Sequence, residues 1–269
     1  QNFISEYSKG RTPNPCTLCN PTIKWGEFLK KTMELGVDKI ATGHYISLKR
    51  ETVIYRIFKA KDKSRDQSYM LWGLDQEQLS ITLFPLSEFT KFEVRKIAEY
   101  MKLPVHDKED SQENCFIKGH YEDFLKKQLE LKTGDIVLEN GEIIGKHKGV
   151  PLYTIGQRKG LNTPWHSALF VRKLDAKNNR VIVTDNPEDL LSDNFSVNNV
   201  NWISGKFPEN FSNLSVQVRY NSKPFPIEDV QINKENIQIK LKTPIRAITP
   251  GQSAVFYQDD QLLGGGIIE

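Results

Sequence analysis

Two different hydrophobic periodicities share this chain, and the change from one to the other near Ile117 limits what it can fold into. Before that point helix and strand spacings alternate. Ile23, Phe28, Leu29, Met33 and Leu35 recur at helical spacing and predict a helix over residues 21–36, stopped by Gly36. Residues 38–45 read as a short strand ending in a Gly-His turn, and residues 53–58 as another strand. Residues 68–74 and 90–102 read as helical, the latter with Phe92, Val94, Ile97, Ala98 and Met101 on one side. Such alternation predicts an α/β layer. After Ile117, residues 135–145 form a hairpin signature around Asn140-Gly141. Residues 168–174, 180–184, 215–220, 236–241 and 253–257 then read as closely spaced strands, predicting a small β-barrel or sandwich. The fold class is therefore α/β followed by mostly β, with a boundary between Pro187 and Asn194.

A length of 269 residues suits two or three domains, and an apolar content of 38% supports real cores. No stretch approaches the ~18 apolar residues of a membrane-spanning helix. The first residues lack both the charged and the apolar regions of a signal peptide. Three cysteines are too few for a disulfide scaffold, and together these features predict a reducing, cytoplasmic setting. The sequence opens at Gln1 without an initiator Met, close before its first cysteine motif, so a fragment or processed chain is expected.

Cys19 and Cys115 both sit in polar, turn-rich stretches, whereas structural cysteines are usually buried among apolar residues. Cys16-Thr17-Leu18-Cys19 is a CxxC pair with several readings. A zinc site would need Cys115 and a histidine such as His106 or His120 to complete it. A thioredoxin-like redox pair wants a preceding strand, where residues 10–15 read as loop. A nucleophilic Cys19 at the start of the helix after Asn20 would have its thiolate favoured by the helix dipole. An inert surface cysteine is the fourth reading. Cys115 follows Asp107, Glu109, Asp110 and Glu113, and acidic neighbours oppose thiolate formation, so it suits carrying a sulfur better than attacking unaided.

Cationic, glycine-containing loops follow, at residues 146–149 and 156–160, and Arg219-Tyr220-Asn221-Ser222-Lys223 sets a stacking ring among cations. Lys and Arg neutralise phosphates and an aromatic ring stacks on unpaired bases, so these segments suit a nucleic-acid partner. The net charge of +3 permits this without requiring it.

In order along the chain stand Gly10-Arg11-Thr12-Pro13-Asn14-Pro15-x-x-x-Cys19-Asn20, Ala41-Thr42-Gly43-His44-Tyr45, Asp66-Gln67-Ser68-Tyr69, Asn114-Cys115-Phe116-Ile117, and Tyr153 to Leu161 around Gly156-Gln157-Arg158-Lys159-Gly160. Residues 249–257 and Leu263-Gly264-Gly265-Gly266-Ile267-Ile268 complete the series. So ordered, the sequence resembles the tRNA-specific 2-thiouridylase family along nearly its whole length. The resemblance implies the remainder of an adenine-nucleotide α-hydrolase-like domain over 1–118, a small central tRNA-binding domain over 119–190 and a C-terminal β-barrel over 191–269. It also implies an upstream Ser-Gly-Gly-x-Asp-Ser phosphate loop, which these 269 residues lack, so that this chain alone is expected to be inactive.

The implied reaction transfers sulfur to C2 of the wobble uridine of tRNA, with ATP, accompanied by Mg2+, activating O2. Cys115 corresponds to the persulfide carrier, loaded by a sulfur-relay protein or cysteine desulfurase. Cys19 corresponds to the nucleophile that resolves it, leaving a Cys19–Cys115 disulfide for a reductant to reset. Gly43 matches a backbone contact to ATP; Asn14, Pro15 and Cys16 match the segment facing the target base. His44, Arg65, Asp66, Gln67, Arg219, Tyr220 and Gln252 match tRNA contacts, and no metal site is implied. Many members carry Asp where Cys16 stands, and a thiol is a poor substitute for a carboxylate in proton transfer at neutral pH, so Cys16 is assigned no catalytic role. The competing reading is a tRNA-binding module without catalysis.

Overall fold

The computed structural model describes residues 1–108, 115–117, 119–208, 212–233 and 236–269. Glu109, Asp110, Glu113 and Asn114, on which the sequence reading drew, lie outside them.

The chain opens with a short helix, α1 (Asn2–Ser8). A second helical run follows without a break through α2 (Pro15–Cys19), a π-wound stretch (Asn20–Phe28) and α3 (Leu29–Glu34). It therefore begins at Pro15, not at 21. Asn14 is extended and its side chain accepts the Cys16 N–H, while Pro15 occupies the first helical position, where a missing N–H costs nothing. Gly36, at φ +75°, ends the run as expected.

Next come β1 (Ile40–Ala41), the antiparallel hairpin of β2 (Ile46–Glu51) and β3 (Ile54–Lys59), helix α4 (Gln76–Ser80), β4 (Thr82–Leu83) and α5 (Lys91–Tyr100). β1 and β4 pair in parallel as a two-stranded sheet. Residues 68–74, read as a helix, form only a 3-10 turn over Ser68–Leu71. The apolar stripes correct a second expectation. Trp25 and Leu29 are buried, but Ile23, Phe28, Met33 and Leu35 are exposed, and α5 buries none of its residues. Parallel sheets are ordinarily covered on both faces, and here no layer among the described residues covers these helices.

The central part contains α6 (Tyr121–Gln128), β5 (Gly134–Leu138), β6 (Ile143–His147), β7 (Phe170–Asp175) and β8 (Arg180–Thr184). The sheet order is β6-β5-β8-β7, with β5 and β8 parallel. Its core of Leu125, Ile136, Val171, Val181 and Val183 also takes in Tyr7 of α1, so the first helix packs here.

The remaining strands are β9 (Leu191–Trp202), β10 (Leu214–Gln217), β11 (Phe225–Ile232), β12 (Asn236–Arg246), β13 (Ser253–Gln258) and β14 (Gln261–Ile268). They form a closed six-stranded antiparallel barrel in the order β13-β10-β11-β12-β9-β14, sealed by the β13–β14 pairing. Phe195, Val197, Val216, Ile239, Leu241 and Phe256 fill it. The β2–β3 hairpin extends the same sheet, because Ile57 and Phe58 pair with Leu262 and Gln261. One core accordingly joins Trp25, Leu29, Leu71 and Leu79 to Val255, Tyr257 and Leu262 of the barrel.

Where the two parts meet, the Thr12 N–H donates to the Pro250 carbonyl at 2.9 Å. Gly251 sits beside this bond at φ +92°, and a Cβ there would lie 3.0 Å from Thr12 N and 3.1 Å from Thr12 C. Gly251→Ala combines left-handed backbone strain with a clash against main chain and is expected to destabilise the protein by about 2 kcal/mol. Thermal unfolding of the two proteins measures this; an unchanged midpoint would refute the close approach.

Candidate functional site

The start of the long helix is held in a polar frame built largely from residues the sequence reading did not single out. Thr17 donates to the Asn14 carbonyl at 2.9 Å, and Ser253 of β13 donates to Thr17 Oγ1 at 3.1 Å. The Asn20 amide donates to the Met70 carbonyl at 2.7 Å, and the Asn14 amide approaches the Met70 sulfur at 3.7 Å. Thr17, Asn20 and Ser253 are all buried, where an unmade hydrogen bond is costly, so the helix start has little freedom to shift. Helical periodicity hides such residues, because they are small and polar and their partners are remote in sequence.

This frame presents Cys16 and Cys19 half-buried, three residues apart on one helix, while Cys115 is exposed; none of the three is in a disulfide. Cys19 lies five residues into the helical run rather than at its beginning, which removes the helix-start argument made for it. Burial pushes the Cys16 thiol above its ordinary range, and the nearby charges of Cys115 and Cys19 push in the same direction, against the Lys24 cation. The influence of Cys115 on Cys16 acts through space, so the fold lays Cys115 near the CxxC turn although 96 residues (115 − 19) separate it from Cys19. Among the described residues, no three or more His, Cys, Asp or Glu side chains are placed to hold a metal ion.

Asp66 anchors a second buried network. Its carboxylate accepts from the Ala60 N–H at 2.8 Å and from the Ser68 hydroxyl at 2.7 Å, and burial raises its pKa against these bonds. Ser68 and Tyr257 share a hydrogen bond at 3.0 Å, the Tyr69 hydroxyl donates to the Ser253 carbonyl at 2.8 Å, and the Tyr220 hydroxyl donates to the Asp66 carbonyl at 3.3 Å. Gln67 accepts from the Tyr45 N–H at 3.1 Å, and neighbouring Arg65 is exposed.

Other candidates form the joints between parts. Gln252 donates to the Thr12 carbonyl at 2.6 Å. Arg219 donates to Thr249 Oγ1 at 2.7 Å, the Ala247 carbonyl at 2.8 Å and the Ile155 carbonyl at 3.4 Å, linking the barrel to the central part. In the cationic loops, Lys146, Lys148, Arg158 and Lys159 are exposed. His147 is buried, bonded through its ring to Asn179 and Gly149. Gly43 is exposed, and a Cβ there would meet only Leu86 Cδ1, at 3.8 Å, so its backbone is open to a ligand.

The first 119 residues match the model described as the tRNA methyl transferase HUP domain. Residues 122–185 match the tRNA methyl transferase PRC-barrel domain, and 192–268 the aminomethyltransferase β-barrel domain. These matches define a three-part protein built on a HUP domain, with the closed barrel as its last part. The chain is 44% identical over 273 residues to the tRNA-specific 2-thiouridylase MnmA of Natranaerobius thermophilus, covering 100% of this chain and 74% of that protein. It is 43% identical over 272 residues to the MnmA of Nostoc punctiforme, covering 99% and 77%, and 42% identical over 272 residues to that of Clostridioides difficile, covering 99% and 75%. It belongs to the tRNA-specific 2-thiouridylase family.

His44 supplies a pH signature near the site. Its Nδ1 lies 2.6 Å from the Thr42 hydroxyl and its ring lies 5.6 Å from that of Trp25. Burial, aided by Lys24, lowers its pKa from 6.5 to about 4. The folded state keeps it neutral where the unfolded chain binds a proton. Its contribution to stability is complete above about pH 6.5 and lost as pH falls toward about 4, by on the order of 3 kcal/mol. Denaturant unfolding across that range should show this slope in the wild type and a shallower one in His44→Asn; identical slopes would refute it.

Proposed function

We propose that the protein makes 2-thiouridine at the wobble position of tRNA, with Cys115 carrying the sulfur as a persulfide and Cys19 resolving it. The observation that carries this reading is the through-space influence of Cys115 on Cys16, which lays the two near each other across 96 residues of sequence from Cys19 (115 − 19). An exposed cysteine suits a carrier that must meet an external donor, either a sulfur-relay protein or a cysteine desulfurase. A half-buried thiol on a braced helix suits the resolving partner, which has to be held in one place.

The target is a single atom, C2 of uridine. The persulfide's terminal sulfur attacks it, or Cys19 first releases that sulfur as hydrosulfide and is left joined to Cys115. ATP serves as the activating substrate, converting the uridine O2 into a leaving group. The open backbone at Gly43 fits an approach by the nucleotide. The exposed cations at 146, 148, 158 and 159, with Arg65, suit the tRNA backbone, and Asn14, Pro15 and Cys16 suit the target base. No helix among the described residues is long and apolar enough to cross a membrane, and free thiols suit the reducing cytoplasm.

Cys19→Ser and Cys115→Ser are each expected to lower 2-thiouridine formation by ~100-fold or more while tRNA binding persists. Mass spectrometry after sulfur loading should find the persulfide on Cys115. Its appearance only on Cys19 would reverse the two roles. Full thiolation by both variants would leave a tRNA-binding module as the better reading.

A further inference from the structure

Cys16 is the thiol to which the proposed sulfur transfer gives no covalent step, yet its N–H is held by Asn14 Oδ1 at 3.1 Å beside Cys19. We propose that Cys16 is a catalytic residue that closes the cycle by thiol–disulfide exchange. Its sulfur attacks Cys19 Sγ of the Cys19–Cys115 disulfide, forms a Cys16–Cys19 disulfide within one helical turn, and expels Cys115 as a thiolate ready for reloading. This rests on the sulfur chemistry proposed above.

The step balances internally. One S–S bond breaks and one forms, no net oxidation occurs, and the proton lost by Cys16 is matched by the negative charge that leaves on Cys115. An external dithiol then delivers two electrons and two protons to the Cys16–Cys19 bond. That reduction takes place at the helix, with the carrier cysteine already free.

Geometry favours this exchange. Residues three apart on an α-helix have Cα atoms about 5 Å apart, inside the ~4.4–6.8 Å range that disulfides span. Cys16 and Cys19 have this spacing within Pro15–Cys19. The turn is braced at both ends: Asn14 Oδ1 accepts the Cys16 N–H at 3.1 Å, Ser253 holds Thr17, and Asn20 is tied to Met70. A braced turn brings the attacking sulfur to Cys19 without a search, whereas attack on Cys115 would leave the carrier blocked.

Two measurements test this. The first needs no catalysis. Equilibrated in glutathione redox buffers, this chain should form an intramolecular Cys16–Cys19 disulfide, found by non-reducing peptide mapping, that Cys16→Ser cannot form. Failure to form it even in the most oxidising buffer overturns the proposal, whatever the fate of the catalytic reading. The second loads the protein with persulfide and gives it tRNA and ATP without reductant. The wild type should end with Cys16 joined to Cys19 and Cys115 open to alkylation, whereas Cys16→Ala should stop at Cys19–Cys115. With limiting dithiol, that variant should slow ~10-fold more in later turnovers than in the first. A wild type that retains Cys19–Cys115 with Cys16 alkylatable overturns the exchange alone. Absence of that linkage from Cys16→Ala overturns the underlying sulfur chemistry along with it.

Discussion

The hydrogen bond from Ser253 to Thr17 joins the outer face of the barrel wall to the first turn of the cysteine-bearing helix, and the site's geometry depends on it. Both residues are buried, so the bond is shielded from water and neither hydroxyl has an alternative partner in solvent. Around it the Tyr69–Ser253, Ser68–Tyr257 and Gln252–Thr12 bonds repeat the same arrangement, a barrel residue holding a loop of the first part. The barrel is thus more than an appended domain. It fixes where Cys16 and Cys19 sit.

Asp66 shows the cost of such a joint. A carboxylate in this position loses solvation, and the Ala60 and Ser68 donors offset only part of that loss, which leaves its pKa raised. The group organises the turn before Ser68 and, through its own carbonyl, receives Tyr220 from the barrel. Residues expected to meet tRNA therefore also carry internal bonds. A substitution at Arg219 or Gln252 would disturb the joints between parts as well as any contact with a ligand.

Much of this architecture was legible in the sequence where short-range chemistry decides it. The hairpin around Asn140-Gly141, the strand at 54–59 and the Gly36 stop each follow from local signals. The helix start was missed because residues 13–15 read as loop, although an extended Asn before a Pro is itself a helix-start signature. β14 was missed because Gly264, Gly265 and Gly266 look like a turn. They lie in a strand so tightly paired that a Cβ at Gly264 would strike the Asn201 carbonyl and one at Gly265 would strike the Trp72 ring. Periodicity identified α5 as a helix but did not show what covers its apolar side. The nearness of Cys115 to Cys16 required the fold itself, because no local rule brings residue 115 toward residue 16.

The β2–β3 hairpin belongs by sequence to the first part and by hydrogen bonding to the barrel sheet. A sheet that crosses a domain boundary leaves no hinge there. The first part and the barrel share a core, so they should lose structure in one cooperative transition, while the central part is tied to them through α1, whose Tyr7 lies in its core, and through Arg219. In a family that modifies tRNA, this makes the cysteine helix and the barrel one platform, on which the cysteines keep a fixed place relative to the barrel surface.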